Sequence, residues 1–344
     1  MIKVLTRFSV VPKKVGRYAA FPTLSRDGDS VFLACRQGST DEDKPHGDKG
    51  KVYLFSSKIT DLKKWHGVSV DFMQSHDEGN ELDAIVTFLK DGTLFLVSRH
   101  FQSNAENYPY ISQVTKKELS QIHQSNSLVL SRHQLNEILS QNEKAVVVAA
   151  VFGHVLIGAN DDCFMSCYAA IEQDCMPSPC ILRSTDCGLS WQLHRVIARS
   201  DVFGSYLNET SLVRLEDGRV LAVTRTDNKP WPLYFSFSDD DMCEWSALSE
   251  TGLYGHAPLL VKGEGEIAFL FYRDLSSSTP GVSCAYFFNN VWTSVGVVVK
   301  FENIYNGGYS DAIHLGGNTF FMVTYLDDVD ASPWVDGFIL QINI

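Results

Sequence analysis

The chain has 344 residues, 44% of them hydrophobic and 20% charged, with 24 glycines and 11 prolines. That apolar content excludes a disordered chain, and the modest Gly and Pro counts exclude collagen-like or low-complexity sequence. Against 41 Asp and Glu stand 29 Lys and Arg, a formal charge of −12; nucleic acid and anionic membrane, which demand clustered cations, are therefore not expected partners.

At the N-terminus, Met1–Arg7 shows neither an apolar h-region nor a small-residue cleavage site, and no later stretch approaches the ~18 apolar residues of a membrane span. The expected location is cytoplasmic, with no membrane insertion. The first structured signal is residues 22–36: a short apolar run, a turn at Asp27-Gly28, and a second run ending in Arg36. The same pattern recurs at 83–99, from Asp83 through Asp91-Gly92 to Arg99, and at 209–225, from Glu209 through Asp217-Gly218 to Arg225. Looser copies are 146–160 (turn at Gly153-His154), 257–273 (turn at Gly263-Glu264-Gly265, ending in Arg273) and 309–325 (turn at Gly316-Gly317).

Each copy predicts a β-hairpin, because Asp-Gly supplies the positive φ of a two-residue turn. The nearly continuous apolar runs predict strands covered on both faces. Copies recur roughly 48 to 64 residues apart, enough for four strands and their loops, and too long for a leucine-rich or helical solenoid. Six copies predict an all-β fold, a six-bladed propeller, in one domain spanning 1–344. Residues 37–50 and 101–145, the latter with a helical pattern over 132–139, read as insertions.

Five of the eight cysteines crowd into 163–187, but no CxxC pair occurs; packed thiols are expected, and no metal or cofactor. Ser184 to Trp191 follows the pattern S-x-D-x-G-x-[ST]-W, with a degenerate copy from Ser238 to Trp245 and a worn one from Ser57 to Trp65. The pattern makes a tight turn: the Asp bonds turn amides, the Gly takes a left-handed φ, and the Trp packs inward. Its expected role is structural.

In a hairpin, the start of the first strand and the end of the second lie at the same end. Asp83, Glu209 and Tyr309 therefore share a face with Arg36, Arg99, Arg225 and Arg273. Arginines recurring at one repeat position would focus a local positive field and grip a carboxylate.

The propeller repeat and the S-x-D-x-G-x-[ST]-W turns (the Asp boxes) resemble the sialidase, or neuraminidase, superfamily. Asn208 to Arg219, running on to Arg225, resembles the family segment carrying the catalytic Glu and a carboxylate-binding Arg. Gly308-Tyr309-Ser310-Asp311 resembles the segment of the tyrosine nucleophile, and Arg273 falls at another Arg of the family triad. Arg36 with Asp41 resembles the first blade's Arg and general acid, Asp48 and His46 being alternative acids. Where the family opens with Phe-Arg-Ile-Pro, this chain reads Ala19-Ala20-Phe21-Pro22, so that Arg is missing; Arg17 is the nearest substitute.

The resemblance implies a retaining exo-glycosidase acting on a terminal acidic sugar such as sialic acid. Tyr309 would be nucleophile, Glu209 its base and Asp41 the acid, with Arg36, Arg225, Arg273, Arg17, Arg99 and Asp83 around the substrate. A neutral phenol suits an anomeric carbon that already bears a carboxylate, but at pKa ~10 it needs a neighbouring base. The alternative reading is a non-catalytic propeller binding an acidic glycan, with a protein-interaction scaffold third. The implied partner is an acidic glycan or small sugar acid.

Overall fold

In a computed structural model the described residues are 1–40, 50–73, 81–101, 107–140, 146–158, 160–172, 174–239, 241–276, 280–301, 307–327 and 332–344. Asp41, His46 and Asp48 lie outside them. After β1 (Ile2–Val11), the first blade is β2 (Arg17–Asp27), β3 (Ser30–Ser39), β4 (Lys51–Lys58) and β5 (His66–Phe72). The second begins with β6 (Glu81–Phe88), β7 (Leu94–Phe101) and β8 (Asn107–Val114). The chain then makes α1 (Lys116–Gln121) and β9 (Ser127–Leu130), which runs back parallel to β5, before β10 (His133–Gln134) completes the second blade and α2 (Leu135–Ser140) follows. Residues 101–145 are thus not simply an insertion, since they supply two strands of a blade.

The third blade holds β11 (Val146–Val151), β12 (Leu156–Ile157), β13 (Cys163–Ile171), β14 (Ser178–Ser184) and β15 (Gln192–Val196), followed by α3 (Ser200–Phe203). The fourth and fifth share a strand: β16 (Leu207–Arg214), β17 (Val220–Thr226) and β18 (Pro232–Ser238) pair with the first half of β19 (Ser249–Lys262). The second half of β19 pairs on through β20 (Ala268–Asp274), β21 (Gly281–Phe288) and β22 (Val291–Lys300). The sixth blade is β23 (Ser310–Gly316), β24 (Thr319–Leu326) and β25 (Trp334–Ile342), closed by β1, whose Ile2 pairs with Ile342. Strands from both ends of the chain therefore close one sheet. Inner strands pack around a ring, β2 between β6 and β23, β16 against β13 and β19, and β19 against β23. The fold is an all-β six-bladed propeller, and no helix among the described residues is long and apolar enough to cross a membrane.

The apolar clusters lie between blades, which is why inner strands read as unbroken apolar runs. One cluster joins Phe32 and Leu54 of the first blade to Val86 and Leu96 of the second, another Phe95 of the second to Met165 and Trp191 of the third. Clusters around Leu212, Leu260, Phe320 and Tyr325 join the remaining pairs, the last tying the sixth blade to the first. The outermost β22 instead has no buried position, only partly buried and exposed ones. Of the eight cysteines all are free and five are buried.

Five predicted hairpin turns stand where expected, with Gly28, Gly92, Gly218, Gly265 and Gly317 at positive φ. The sixth does not. In the third blade the Gly158 N–H donates to the Asp162 carbonyl at 2.7 Å where β12 turns back to β13, and Gly153-His154 sits mid-way along the inner edge of the blade. A single Gly within an apolar run marks a close backbone approach as readily as a turn: a Cβ on Gly153 would lie 3.4 Å from the Ser211 Cα.

The turn at 184–191 joins β14 to β15 at the end of its blade opposite Glu209 and Tyr309, by the alternation of strand direction. Asp186 accepts from the Ser190 N–H at 2.9 Å and from the Ser190 hydroxyl, and Ser184 Oγ accepts from the Gly188 N–H at 2.8 Å. Trp191, buried, donates its indole N–H to the Gly188 carbonyl at 3.1 Å and meets Phe95 of the neighbouring blade. Trp65 repeats the device, donating to Leu62 three residues earlier at 2.6 Å.

Candidate functional site

The inner strands share one irregularity. In β2, β6, β16 and β19 the register slips by one residue near the strand start: Ala20 pairs with Arg36 but Thr23 with Ala34, Glu81 with His100 but Ala84 with Ser98, Leu207 with Thr226 but Thr210 with Thr224, His256 with Arg273 but Leu259 with Phe271. Each slip is a β-bulge, which re-aims the side chains it carries. The bulged residues are Phe21-Pro22, Leu82-Asp83, Asn208-Glu209 and Ala257-Pro258. Phe21 and Ala257 take left-handed φ of 53° and 51°, and each precedes a proline, which needs no ladder partner.

Glu209 is buried and fully bonded. Its Oε1 accepts from the Tyr309 hydroxyl and, at 2.9 Å, from Arg225 Nη1; its Oε2 accepts from the Ala257 N–H at 3.0 Å. Arg225, at the end of β17, also places Nη1 3.4 Å from the Tyr309 oxygen, while its Nη2 bonds Asp227 at 2.8 Å. Asp227 in turn accepts from Asn208 at 3.2 Å, and Asn208 accepts the Glu209 N–H at 2.8 Å. Burial pushes the Glu209 carboxyl up, but the Arg225 charge and the Tyr309 bond outweigh it and hold the group below its usual range. Burial and the Glu209 charge raise Tyr309 well above its ordinary value. The shared proton therefore rests on the phenol, beside an ionised carboxylate.

Tyr309 enters from the start of the sixth blade behind Gly307-Gly308. Gly308 has φ 79°, and a Cβ there would fall 2.6 Å from Phe301 and 3.1 Å from Arg273. The Tyr309 ring is boxed by Phe21 at 5.2 Å, edge to face, and by Phe152 and Tyr325, each at 6.4 Å. The Arg273 guanidinium lies 4.7 Å from its centroid. A cavity of about 120 Å³ reaches Tyr309 and Glu209 along the propeller axis, lined by Phe21, Ile85, Arg99, Phe152, His154 and Asp311, among others.

Tyr309, Glu209, Arg225 and Arg273 thus form one constellation, with Arg99 on the adjoining cavity. Arg36 is wholly buried near the bulge of the first blade, its guanidinium 5.4 Å from the Tyr18 ring and close against Gly50. Arg17 stands apart, on an open groove with Val11, Lys14 and Tyr53. Asp83 is placed by its backbone in the second-blade bulge; its side chain, like Asp41, lies outside the described residues. Sequence reasoning missed Asn208, Asp227, His256, His154 and Asp311. The only signal for Asp227 is its place two residues after Arg225. His154 was assigned to a turn, and its Nε2 instead meets Asp311 Oδ1 at 2.9 Å.

Comparison with protein-family models and with curated proteins finds no match. Solved structures do match. A protein of unknown function from Dyadobacter fermentans aligns over 99% of both chains at 18% identity and a TM-score of 0.78. Trypanosoma rangeli sialidase in complex with the inhibitor DANA aligns over 98% of this chain at 12% identity and a TM-score of 0.67; this chain spans 58% of its length. The Hadza microbial sialidase Hz136 aligns over 94% of this chain and 66% of its own, at 10% identity and a TM-score of 0.67. At such identities the likeness is one of fold: the chain has a sialidase-like fold.

Proposed function

We propose that the chain is a single propeller domain, 1–344, acting as a retaining exo-glycosidase on a terminal acidic sugar, sialic acid or a relative. What carries the reading is the Tyr309–Glu209 hydrogen bond with Arg225 bridging both partners. Supporting it are Arg273 over the same phenol ring, the sialidase-like fold and the 184–191 turn, which reads as an Asp box.

In the first step the Tyr309 oxygen bonds the anomeric carbon as the glycosidic C–O bond breaks, and the phenol proton passes to Glu209. The leaving oxygen takes its proton from an acid, for which Asp41 is the first candidate, ahead of Asp48 and His46. In the second step water attacks the anomeric carbon as the bond from that carbon to the Tyr309 oxygen breaks; the water gives a proton to that acid's conjugate base, and the released Tyr309 oxygen recovers its proton from Glu209. Arg225 and Arg273 hold the substrate carboxylate, Arg36 and Arg99 flank it, and Asp83 orients an arginine. Tyr309 suits such a centre because a carboxylate nucleophile would be repelled by the one already on the sugar; this tyrosine is a known exception to the two-carboxylate scheme.

A second reading, a non-catalytic propeller that binds an acidic glycan, draws on one observation: Ala20, wholly buried, stands where the resemblance calls for an arginine. A panel of fluorogenic glycosides of acidic sugars decides between them. Release of the fluorophore by the wild type, lost in Tyr309→Phe, supports the enzyme; binding of free sugar acids with no release supports the binder.

A further inference from the structure

His256 stands in this site with no part in the chemistry above. It is the last paired residue of β19 before the bulge, directly across from Arg273, and its neighbour Ala257 is the one that donates to Glu209. The imidazole meets Trp231 edge to face, 5.7 Å between centroids, and feels the charges of Arg225, Glu209 and Arg273. Its Nε2 is shut off from solvent with no hydrogen-bond partner among the described residues, as are Nε and Nη2 of Arg273, a side chain only 5% exposed. Buried nitrogens left unpaired are costly, and native structures seldom keep several together without a use. Arg273 offers charged donors to an anion. His256 is different in kind: burial and the Arg225 charge push its pKa down to about 3, so the ring is neutral and adds no further charge for a carboxylate to meet. What it offers is one directional hydrogen bond to an uncharged group.

We propose that His256 binds ligand, its Nε2 hydrogen-bonding a hydroxyl or amide of the same acidic sugar whose carboxylate Arg225 and Arg273 hold. The inference rests on the acidic-sugar reading and narrows it to sugar acids with a neutral hydrogen-bonding substituent near the carboxylate.

The test is calorimetric titration of the full chain with DANA, KDN and glucuronic acid, using wild type, His256→Phe and His256→Gln. Wild type should bind at least one probe. His256→Phe keeps a ring against Trp231 but has no nitrogen, and should bind that probe about 5- to 100-fold more weakly. His256→Gln, whose amide can stand in for Nε2, should recover part of the loss. Undiminished affinity in His256→Phe overturns the inference and leaves the acidic-sugar reading intact; a wild type that binds none of the probes overturns both. Should His256→Phe fail to fold, the ¹⁵N resonance of His256 Nε2 in wild type decides. It should move on saturation with the bound probe, and an unmoved resonance overturns the inference.

Discussion

Asp311→Asn probes how the propeller is tied together at its centre. The Asp311 carboxylate is 2% exposed and accepts the His154 ring N–H at 2.9 Å, the Leu24 N–H at 2.7 Å and the Ala312 N–H at 2.7 Å. His154 also bonds the backbone of Val86, so one carboxylate links the first, second, third and sixth blades. An asparagine keeps one acceptor oxygen, and its NH₂ must then face either the Leu24 N–H or the His154 and Ala312 donors. Breaking a buried charged pair costs about 3–5 kcal/mol. At roughly 2 °C per kcal/mol for a chain of this size, the melting temperature should fall by about 6–10 °C. The pH dependence gives a second check. Burial works to lower the His154 pKa, but the Asp311 charge and hydrogen bonds outweigh it and hold it above 6.5. A group raised on folding stabilises below its unfolded pKa, and that contribution disappears as pH climbs through the folded value. Thermal unfolding at pH 5.5 should therefore separate wild type from His154→Gln more widely than at pH 9. An Asp311→Asn protein melting within 1 °C of wild type (about a sixth of the smallest expected fall), or a wild-type–His154→Gln gap that does not narrow with pH, would refute the reasoning.

Tyr309→Phe and Glu209→Gln should each lower turnover of an authentic substrate by orders of magnitude, and the double variant should lose little more, because the pair acts as one unit; additive losses would count against the shared proton. Gly308→Ala, forced into φ 79° with its Cβ 2.6 Å from Phe301, should cost at least about 1–3 kcal/mol in denaturant unfolding and displace Tyr309. Trp191→Ala empties a 1%-exposed site between two blades and should cost about 3–5 kcal/mol, measurable as a shift in the urea midpoint, while leaving ligand affinity in the folded protein unchanged.

The hairpins were legible because turn chemistry is local: Asp27-Gly28, Asp91-Gly92 and Asp217-Gly218 each announce a positive φ between apolar runs, and only Gly153 misled, a glycine kept for close packing. The pairing of Glu209 with Tyr309 was legible only through the repeat, which set both at strand starts, and through the family resemblance. The bulges were not read, although Pro22 and Pro258 inside apolar strands are the kind of residue that marks them. Nor could the chain reveal His154–Asp311, which depends on the third and sixth blades meeting at the axis, or the ring of bonds through Asn208 and Asp227, which depends on the unread bulge in the fourth-blade hairpin. Partners separated by 157 positions carry no spacing rule.

The bulges also explain how a protein of charge −12 keeps arginines in its interior. A regular inner strand would alternate its side chains between the two adjoining inter-blade clusters, where a carboxylate would meet only hydrocarbon. The extra residue at 208–209 breaks that alternation and turns Glu209 toward the axis, and the matching slip at 257–258 aims the Ala257 N–H at the same carboxylate. Arg225 is then bracketed by Glu209 and Asp227 at 2.9 and 2.8 Å, so its charge is met within the fold. Arg273 has the Tyr309 ring face but no carboxylate within salt-bridge distance among the described residues. Two arginines at equivalent ends of their hairpins thus differ in kind. In the proposed site Arg225 meets the ligand carboxylate while also keeping Glu209 ionised, and Arg273 carries a charge that the anionic ligand itself would complete.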